Sequence, residues 1–557
     1  MAVSANSVWE IRSTATAGNV NGGFFVTGAS GVDYSQQNAA QYNLTGCTSA
    51  AADAIILNAN AAADMVGNGA HVISGTNATP GWYEIISVVV GVSITLDRSW
   101  GTAAVALGVV NIGGALSLGS SDVAIFNTFS PGNLAYVKGG TNISYTLNGS
   151  LSFGTAGTSL AHIKFEGYAS TRGDRPLGVT RPTFICAGAA FGLANFIDIR
   201  NIIFTGTGTS VVSAASGTKV IGCKMTNSST SAGRAALLGN NNAFVFGNEL
   251  ISYRGFGFSS NNGGVMLYGN YIHDCDEGIH NFAAGNDSSY IGNLIESCVT
   301  AAIRYTNSAT ELSYINANTL YGSENKTGTG LLMAAGVVNV NFSNNIVYGF
   351  TTGVSHGAAN SCYDDYNDYF NNTADVSNWT KGANDIATNP TFTSVAQVVV
   401  TTATTSNTGN TLVKAGATFQ TSGVTAGRDC VYISSTSGTV GIYGIVSVDS
   451  ETQLTLDLAP GNSAGNVSAQ ITTGRNFAVG ANMKAMGYPG AFGGAYTTGY
   501  LDLGAAQRQG GISTDPGIAN VKSGIAYVIN DTSLVGTLVV TTAAQAPTVI
   551  GNKYSLS

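Results

Sequence analysis

Asn270-Tyr-Ile272, Asn293-Leu-Ile295, Asn318-Thr-Leu320 and Asn345-Ile-Val347 repeat one pattern, an asparagine followed two positions later by an apolar residue. Outward from these, the series takes in Asn201, Asn248 and Asn367, and Cys223-Lys-Met225 fills the one empty register. The successive gaps are 22, 25, 22, 23, 25, 27 and 22 residues, a spacing that predicts a solenoid of stacked coils. Between the asparagines lie short strand-like pieces, such as Ala243-Phe-Val-Phe246 and Val265-Met-Leu-Tyr268, separated by Gly, Asn and Ser turns. No segment offers a ten-residue amphipathic helix. A second element recurs after each asparagine: Gly257-Phe258, Gly278-Ile279, Ala302-Ile303, Gly330-Leu331 and Gly353-Val354. Such a unit cannot bury its apolar face alone and must stack on its neighbours. Leucine-rich repeats would need more leucine, and ankyrin or TPR repeats would need helices. The expected fold is all-β, a right-handed parallel β-helix.

Stacked asparagines at one turn position are expected to hydrogen-bond along the solenoid axis and to tolerate a left-handed turn backbone. Cys223 is expected to interrupt that ladder. Cys275 and Cys298 each follow their asparagine by five residues and are expected to stack on adjacent coils about 4.8 Å apart, either as thiols or as a disulfide. An odd total of seven cysteines fits folding in a reducing compartment.

Glycine supplies 73 of 557 residues and charged residues only 9%, which is turn and strand chemistry rather than the Lys/Glu surface of helical enzymes. A formal net charge of -8, without a Lys/Arg cluster, argues against nucleic-acid binding. No Gly-rich loop ends in Lys-Ser/Thr, and no Cys or His spacing suits zinc, so no cofactor and no metal are expected. The longest apolar run, Ile85 to Leu96, is broken by Ser and Gly and reads as a buried strand pair rather than a membrane span. Met1-Ala-Val-Ser-Ala-Asn-Ser-Val-Trp-Glu10 has neither a basic start nor an apolar core, so a signal peptide is not expected.

A second repeat lies outside the solenoid. Gly81-Trp-Tyr-Glu-Ile-Ile-Ser-Val88 with Ile94-Thr-Leu-Asp97 matches Gly441-Ile-Tyr-Gly-Ile-Val-Ser-Val448 with Leu454-Thr-Leu-Asp457, at a constant offset of 360. Eight of the seventeen positions from 81 to 97 are identical, and Ala70-His-Val-Ile73 against Cys430-Val-Tyr-Ile433 extends the match. Each copy is expected to be a small β-sandwich or β-barrel that caps the solenoid or attaches it to something else. The expected organisation is an N-terminal segment at 1–42, a first β module at 43–116, the β-helix at 117–395, a second module at 396–480, and a C-terminal β segment at 481–557.

The densest chemistry is His273-Asp-Cys-Asp-Glu-Gly-Ile-His280. Counted from each asparagine, His273 is expected beside Glu296, and Arg254 beside Asp276. A glycosidase needs two carboxylates flanking a groove, which Asp274, Asp276, Glu277 and Glu296 would supply. A lyase would need carboxylates for Ca²⁺ and a base, with Arg254 and Arg304 nearby. The competing reading is an exposed turn whose charges pair across coils, each pair adding under about 1 kcal/mol. A second acidic group, Asp364-Asp-Tyr-Asn-Asp368, reads as turn-forming Asp, with a cation or sugar site as the alternative.

The Asn turns, the Gly-apolar element and the run Ala135-Tyr-Val-Lys-Gly-Gly-Thr141 leading to His162-Ile-Lys-Phe-Glu-Gly-Tyr168 resemble the pectate-lyase-like β-helices of polysaccharide lyases and tailed-phage tailspikes. Val8-Trp-Glu-Ile-Arg12 and Gly499-Tyr-Leu-Asp-Leu-Gly-Ala-Ala-Gln-Arg-Gln509 resemble phrases of tailed-phage virion proteins. The second resemblance implies a virus particle, and with the acids read as pairing across coils the expectation is a non-enzymatic structural protein on the particle exterior, made in the host cytoplasm, as capsid decoration or as a tailspike or fibre. The resemblances also imply a homotrimer, other capsid or tail proteins as partners, and host surface glycan as a ligand. The alternative they leave open is a polysaccharide lyase or glycoside hydrolase.

Overall fold

The computed structural model describes residues 8–12, most of 42–477, and two short strands at 527–529 and 532–534. The body is a right-handed parallel β-helix of two sheets, with 12 and 17 strands, in which every strand pairs parallel with its counterpart one coil away. Three inward columns form its core. Val245, Leu267, Tyr290, Ile315 and Phe342 stack in the first sheet. Leu250, Ile272, Ile295, Leu320, Val347 and Tyr369 form the second column. Phe258, Ile279, Ile303, Leu331 and Val354 form the third. The small residue preceding each member of the third column has a steric reason. A Cβ at Gly278 would stand 2.5 Å from Ile295 Cγ2, and one at Gly257 would stand 2.4 Å from Ile272 Cγ2.

The ladder runs from Asn248 through Asn270, Asn293, Asn318 and Asn345 to Asn367. Each Oδ1 accepts the backbone N–H and the Nδ2 of the asparagine one coil earlier, as Asn293 does from Asn270 at 3.0 and 2.9 Å. Each Nδ2 also donates to a main-chain carbonyl, as Asn293 does to Leu267 at 3.1 Å. All four hydrogen-bonding valences of the carboxamide are thereby used inside a protein interior where an unused one is costly. Asp385 closes the upper end by accepting the Asn367 N–H at 2.7 Å. At the lower end Cys223 donates only its backbone N–H to Asn248, at 2.8 Å.

Two expectations are corrected here. Asn201 is not a rung: Ile202 occupies the ladder register below Cys223, and Asn201 stands one position earlier, aligned with Gly222. The left-handed turn backbone also belongs to that earlier position. Asn201, Gly222, Gly247, Gly269, Gly292, Ala317, Asn344 and Tyr366 all have φ between 55° and 64°. Glycine fills half of this column because it alone adopts such a φ without steric cost. The rungs themselves need no such conformation.

Val8–Arg12, assigned from sequence to an N-terminal segment, is a strand of the solenoid, lying parallel between Leu116–Ser117 and Leu134–Lys138. Trp9 and Ile11 are buried in the solenoid core, so the chain starts a coil, makes the first module, and then resumes coiling.

Both modules are six-stranded and antiparallel. The second closes into a barrel, and the first has the same strand order, with the bridge Thr48 to Leu57 joining its ends. The hairpins Gly81–Val89 with Ser93–Leu96, and Gly441–Ser450 with Gln453–Leu456, share their register and a bulge as far as Val88 and Val448, beyond which the second has a further bulge that pairs Ser450 with Gln453. Tyr83 donates to the Thr79 carbonyl at 2.7 Å, and Tyr443 to that of Thr439 at 2.8 Å. The flanking strand departs from the constant offset. Ala70 opposes Tyr83, whereas Val431, not Cys430, opposes Tyr443. Burial enforces this slip, since Val431 and Ile433 face the core as Ala70 and Val72 do, and a one-residue error would turn them outward.

Beyond 477, Tyr527–Ile529 and Thr532–Leu534 pair as an antiparallel hairpin in a small separate unit. The phrase at 499–509 lies outside the described residues. Among the described residues no helix is long and apolar enough to cross a membrane.

Candidate functional site

The strand Tyr271–Asn281 carries the acidic cluster, and a left-handed residue breaks its alternation, Asp274 at φ 52°, matched one coil on by Ser297 at φ 54°. These two residues turn the chain sharply, so that consecutive polar side chains enter one enclosed space instead of alternating faces. His273 stands opposite Glu296, and Cys275 opposite Cys298 with both as buried thiols. The cluster is not the exposed turn read from sequence: Asp274, Glu277 and Glu296 are 3%, 2% and 0% exposed.

What covers it is the second β module. Arg475, on Val467–Asn476, enters the cluster with its side chain 6% exposed. Its Nη2 lies 3.2 Å from Asp274 Oδ2, its Nε lies 3.3 Å from Asp429 Oδ1, and its Nη1 meets Glu296 Oε1 and the Tyr271 hydroxyl. Around this centre Tyr271 donates to Glu296 at 2.7 Å, and His273 Nδ1 lies 2.6 Å from Asp274. Lys224 pairs with Glu249 at 2.8 Å, and Arg428 pairs with Asp429 at 2.8 Å. The acids Asp274, Glu296, Asp429 and Glu249 thus face the cations Arg475, His273, Lys224 and Arg428. That balance lets a buried charge group persist.

Protonation follows from the packing. Burial pushes the Asp274 carboxyl up, but Arg475 and His273 outweigh it and hold the group well below the usual carboxylate range. Burial pushes the His273 imidazole down, but hydrogen bonds to Asp274 and Glu249 hold it up at about 9. Burial opposes and the surrounding anions outweigh it for the Arg475 guanidinium, which stays charged.

Of the four candidate acids only Asp276 is not buried. It accepts from Thr300 at 2.6 Å, and burial followed by the charge of Glu277 pushes its carboxyl up. Glu277 is held by Arg304 at 2.5 Å and His280 at 2.6 Å. Arg254 is not beside Asp276 as counted from sequence. A register shift between Ser252 and Phe256 separates them, and Arg254 instead faces the second module, 3.7 Å from Asp457 and over the Tyr443 ring at 5.1 Å. Asp274 and Glu296 are thus tied to Arg475, Glu277 to Arg304 and His280, and Asp276 to Thr300. The space left at the seam is a cavity of about 30 Å³ bordered by Asp274, Ser297, Tyr432 and Thr472. Among the described residues no three His, Cys, Asp or Glu groups stand together as a metal site.

The residue that sequence reasoning missed is Arg475. A signal existed: the two modules match closely elsewhere, yet the first module's sequence from Gly113 to Leu116, the place corresponding to Arg475, is uncharged.

Asp364 occupies the next inward position after Phe342 in the apolar column. It accepts from Tyr369 at 2.6 Å and from Trp379 and Asn367, and burial followed by the charge of Asp385 pushes it up to about 8. Asp368 accepts the Thr388 N–H at 2.8 Å, its other oxygen has no partner, and burial pushes it up to about 7. Both are end-of-solenoid acids in an interior rather than a surface turn.

On the outer face of the first sheet, Phe244, Met266, Ser289, Tyr314, Asn341 and Tyr363 form one register column. Met266, Tyr314 and Tyr363 are among its exposed members, and Tyr268 is exposed in the neighbouring column.

No family model and no curated protein matches the chain. Among solved structures, pectate lyase Pel9A is similar at 13% identity and a TM-score of 0.36, over 71% of this chain and 92% of that one. The tailspike protein gp49 of Pseudomonas phage LKA1 is similar at 11% identity and a TM-score of 0.18, over 84% and 87%. A GH87 alpha-1,3-glucanase from Streptomyces thermodiastaticus is similar at 11% identity and a TM-score of 0.26, over 63% and 84%. At such scores the likeness carries no argument about activity.

Proposed function

We propose that this chain is a non-enzymatic structural protein on the exterior of a tailed-phage particle, its β-helix serving as shaft and binding surface. One observation supports the non-enzymatic part: Arg475 enters the acid cluster from the second module and pairs with Asp274 and Glu296, so two of the four candidate carboxylates serve to hold two parts of the chain together. The particle assignment rests on the resemblance of Val8–Arg12 and of residues 499–509 to virion-protein phrases. The exposed tyrosines, with Asn341 and Ser289 between them, favour host glycan as a ligand of the solenoid face, because rings interspersed with carboxamide and hydroxyl groups suit a sugar's apolar faces and polar rims.

The test is copy number and location on purified particles, by quantitative mass spectrometry and antibody labelling. Hundreds of copies over the head identify decoration, a few trimers at the tail identify a spike, and absence from particles sinks the proposal. Incubation with host capsule or lipopolysaccharide is expected to release no oligosaccharide. Release that disappears in the Asp276→Asn, Glu277→Gln variant would establish a lyase or hydrolase instead.

A further inference from the structure

The run Ile85 to Leu96 is only half a buried strand pair. Ile85, Ile94 and Leu96 enter the first module's core, but Ile86, Val89, Val90 and Val92 are 55%, 58%, 65% and 54% exposed at the hairpin tip. Ile55 and Leu57, on the strand paired to the same hairpin, are also exposed. Six branched aliphatic side chains thus meet water together, with no charged residue anywhere from 85 to 96.

The second module exposes Val446 where the first exposes Ile86, but it shows that the fold does not require an apolar tip. Its hairpin keeps the same register as far as Val448 and then bulges once more, and in sequence Asp449, Ser450, Glu451 and Thr452 stand where the first has Val89, Val90, Gly91 and Val92. That polar tip is satisfied within its own module. Asp449 accepts from Ser447, Gln453 and Thr455, and Glu451 accepts the N–H groups of Gln420 and Thr421.

We propose that the first module's tip is a knob that seats in an apolar cleft of another protein of the particle; this rests on the particle reading above. The exposed apolar surface is on the order of the few hundred Å² that forms the largest patch of an ordinary monomer. That is short of the roughly 800 Å² per partner that a specific interface buries, so two tips face to face would not hold a second copy, whereas a knob ringed by the cleft's walls buries more. Lipid is disfavoured because residues 85 to 96 include no Trp, Tyr, Lys or Arg of the kind that anchors a protein at a membrane interface. Beside the tip an open hollow of about 570 Å³, bordered by Leu57, Asn58, Ala59 and Val92, gives the cleft's rim a place to enter.

The experiment makes the tip polar: Val89→Asp, Val90→Ser and Val92→Thr in the full chain, keeping Gly91 because its φ of 70° suits glycine, with Val89→Asp alone as a milder variant. Thermal melts are expected to match the unaltered chain, since the three positions are exposed and Ser87 and Thr95 stand where Asp449's partners Ser447 and Thr455 stand in the second module. Occupancy on particles, read by quantitative mass spectrometry, is expected to fall at least tenfold in the triple variant and partially in Val89→Asp. Unchanged occupancy in both would overturn this proposal alone, whereas absence of the unaltered chain from particles would overturn the particle reading and this proposal with it. Flotation of the unaltered chain with phosphatidylcholine vesicles, lost in the triple variant, would reassign the tip to lipid and overturn it as well.

Discussion

At the scale of single residues, the ladder asparagines and the terminal aspartates show how burial sets a polar group's role. Asn293 uses all of its hydrogen-bonding capacity on Asn270, Leu267 and Asn318. Asn293→Leu would leave the Asn270 N–H and Nδ2 and the Leu267 carbonyl without these partners, at about 1–3 kcal/mol for each group left dry. A loss of about 3 kcal/mol or more in urea unfolding is expected, and a change below about 1 kcal/mol would show the rungs to be dispensable. Asp368 acts in the opposite direction. Its folded pKa of about 7 lies above its unfolded value near 3.8, so the folded chain holds the proton more tightly. The associated stability is fully present below about pH 4 and is lost as pH rises through about 7. Asp368→Asn should raise stability at pH 8 by about 3 kcal/mol and flatten the melting temperature between pH 4 and 7. An unchanged slope would place its source elsewhere, Asp364 being the next candidate.

At the scale of elements, the seam between Tyr271–Asn281 and Val467–Asn476 is a buried ion group, and such groups are fragile to removal of one member. Arg475→Ala strands Asp274, Glu296 and Asp429 and should cost about 3–5 kcal/mol, read as lost hydrogen-exchange protection on both strands. Adding Asp274→Asn, Glu296→Gln and Asp429→Asn should recover part of it. The pH window follows from the two shifted groups. Asp274 is depressed, so its contribution is present above about pH 4 and lost as pH falls through its folded value. His273 is raised, so its contribution is present below about pH 6.5 and lost as pH rises through about 9. Protection of Tyr271–Asn281 is therefore expected to decline between pH 7 and 9, and His273→Gln should remove that decline.

At the scale of the whole molecule, the second module is coupled to the solenoid through Arg475, through Arg254 with Asp457, and through the packing of Phe477 on Tyr321 and Tyr348. Calorimetry should show module and solenoid unfolding in one transition, which Arg475→Ala separates into two; two transitions in the unaltered chain would contradict tight coupling. What the sequence by itself determined is whatever repeats within one coil: the asparagine register, the inward columns, the small residue before each third-column side chain, and the duplication of the modules. Each coil poses the same local packing problem, so its solution recurs and is visible as a period. Asn201 misled because a left-handed turn position and a ladder position are adjacent and both favour asparagine. Only the tertiary structure decided the fate of the acid cluster. Arg475 and Asp274 are 201 residues apart, in parts of the chain with unrelated periods, and no repeat announces that one will neutralise the other. Burial and charge pairing are properties of that meeting, so two of the four acids that stand out along the chain, Asp274 and Glu296, become counter-ions of a single arginine once the module is docked.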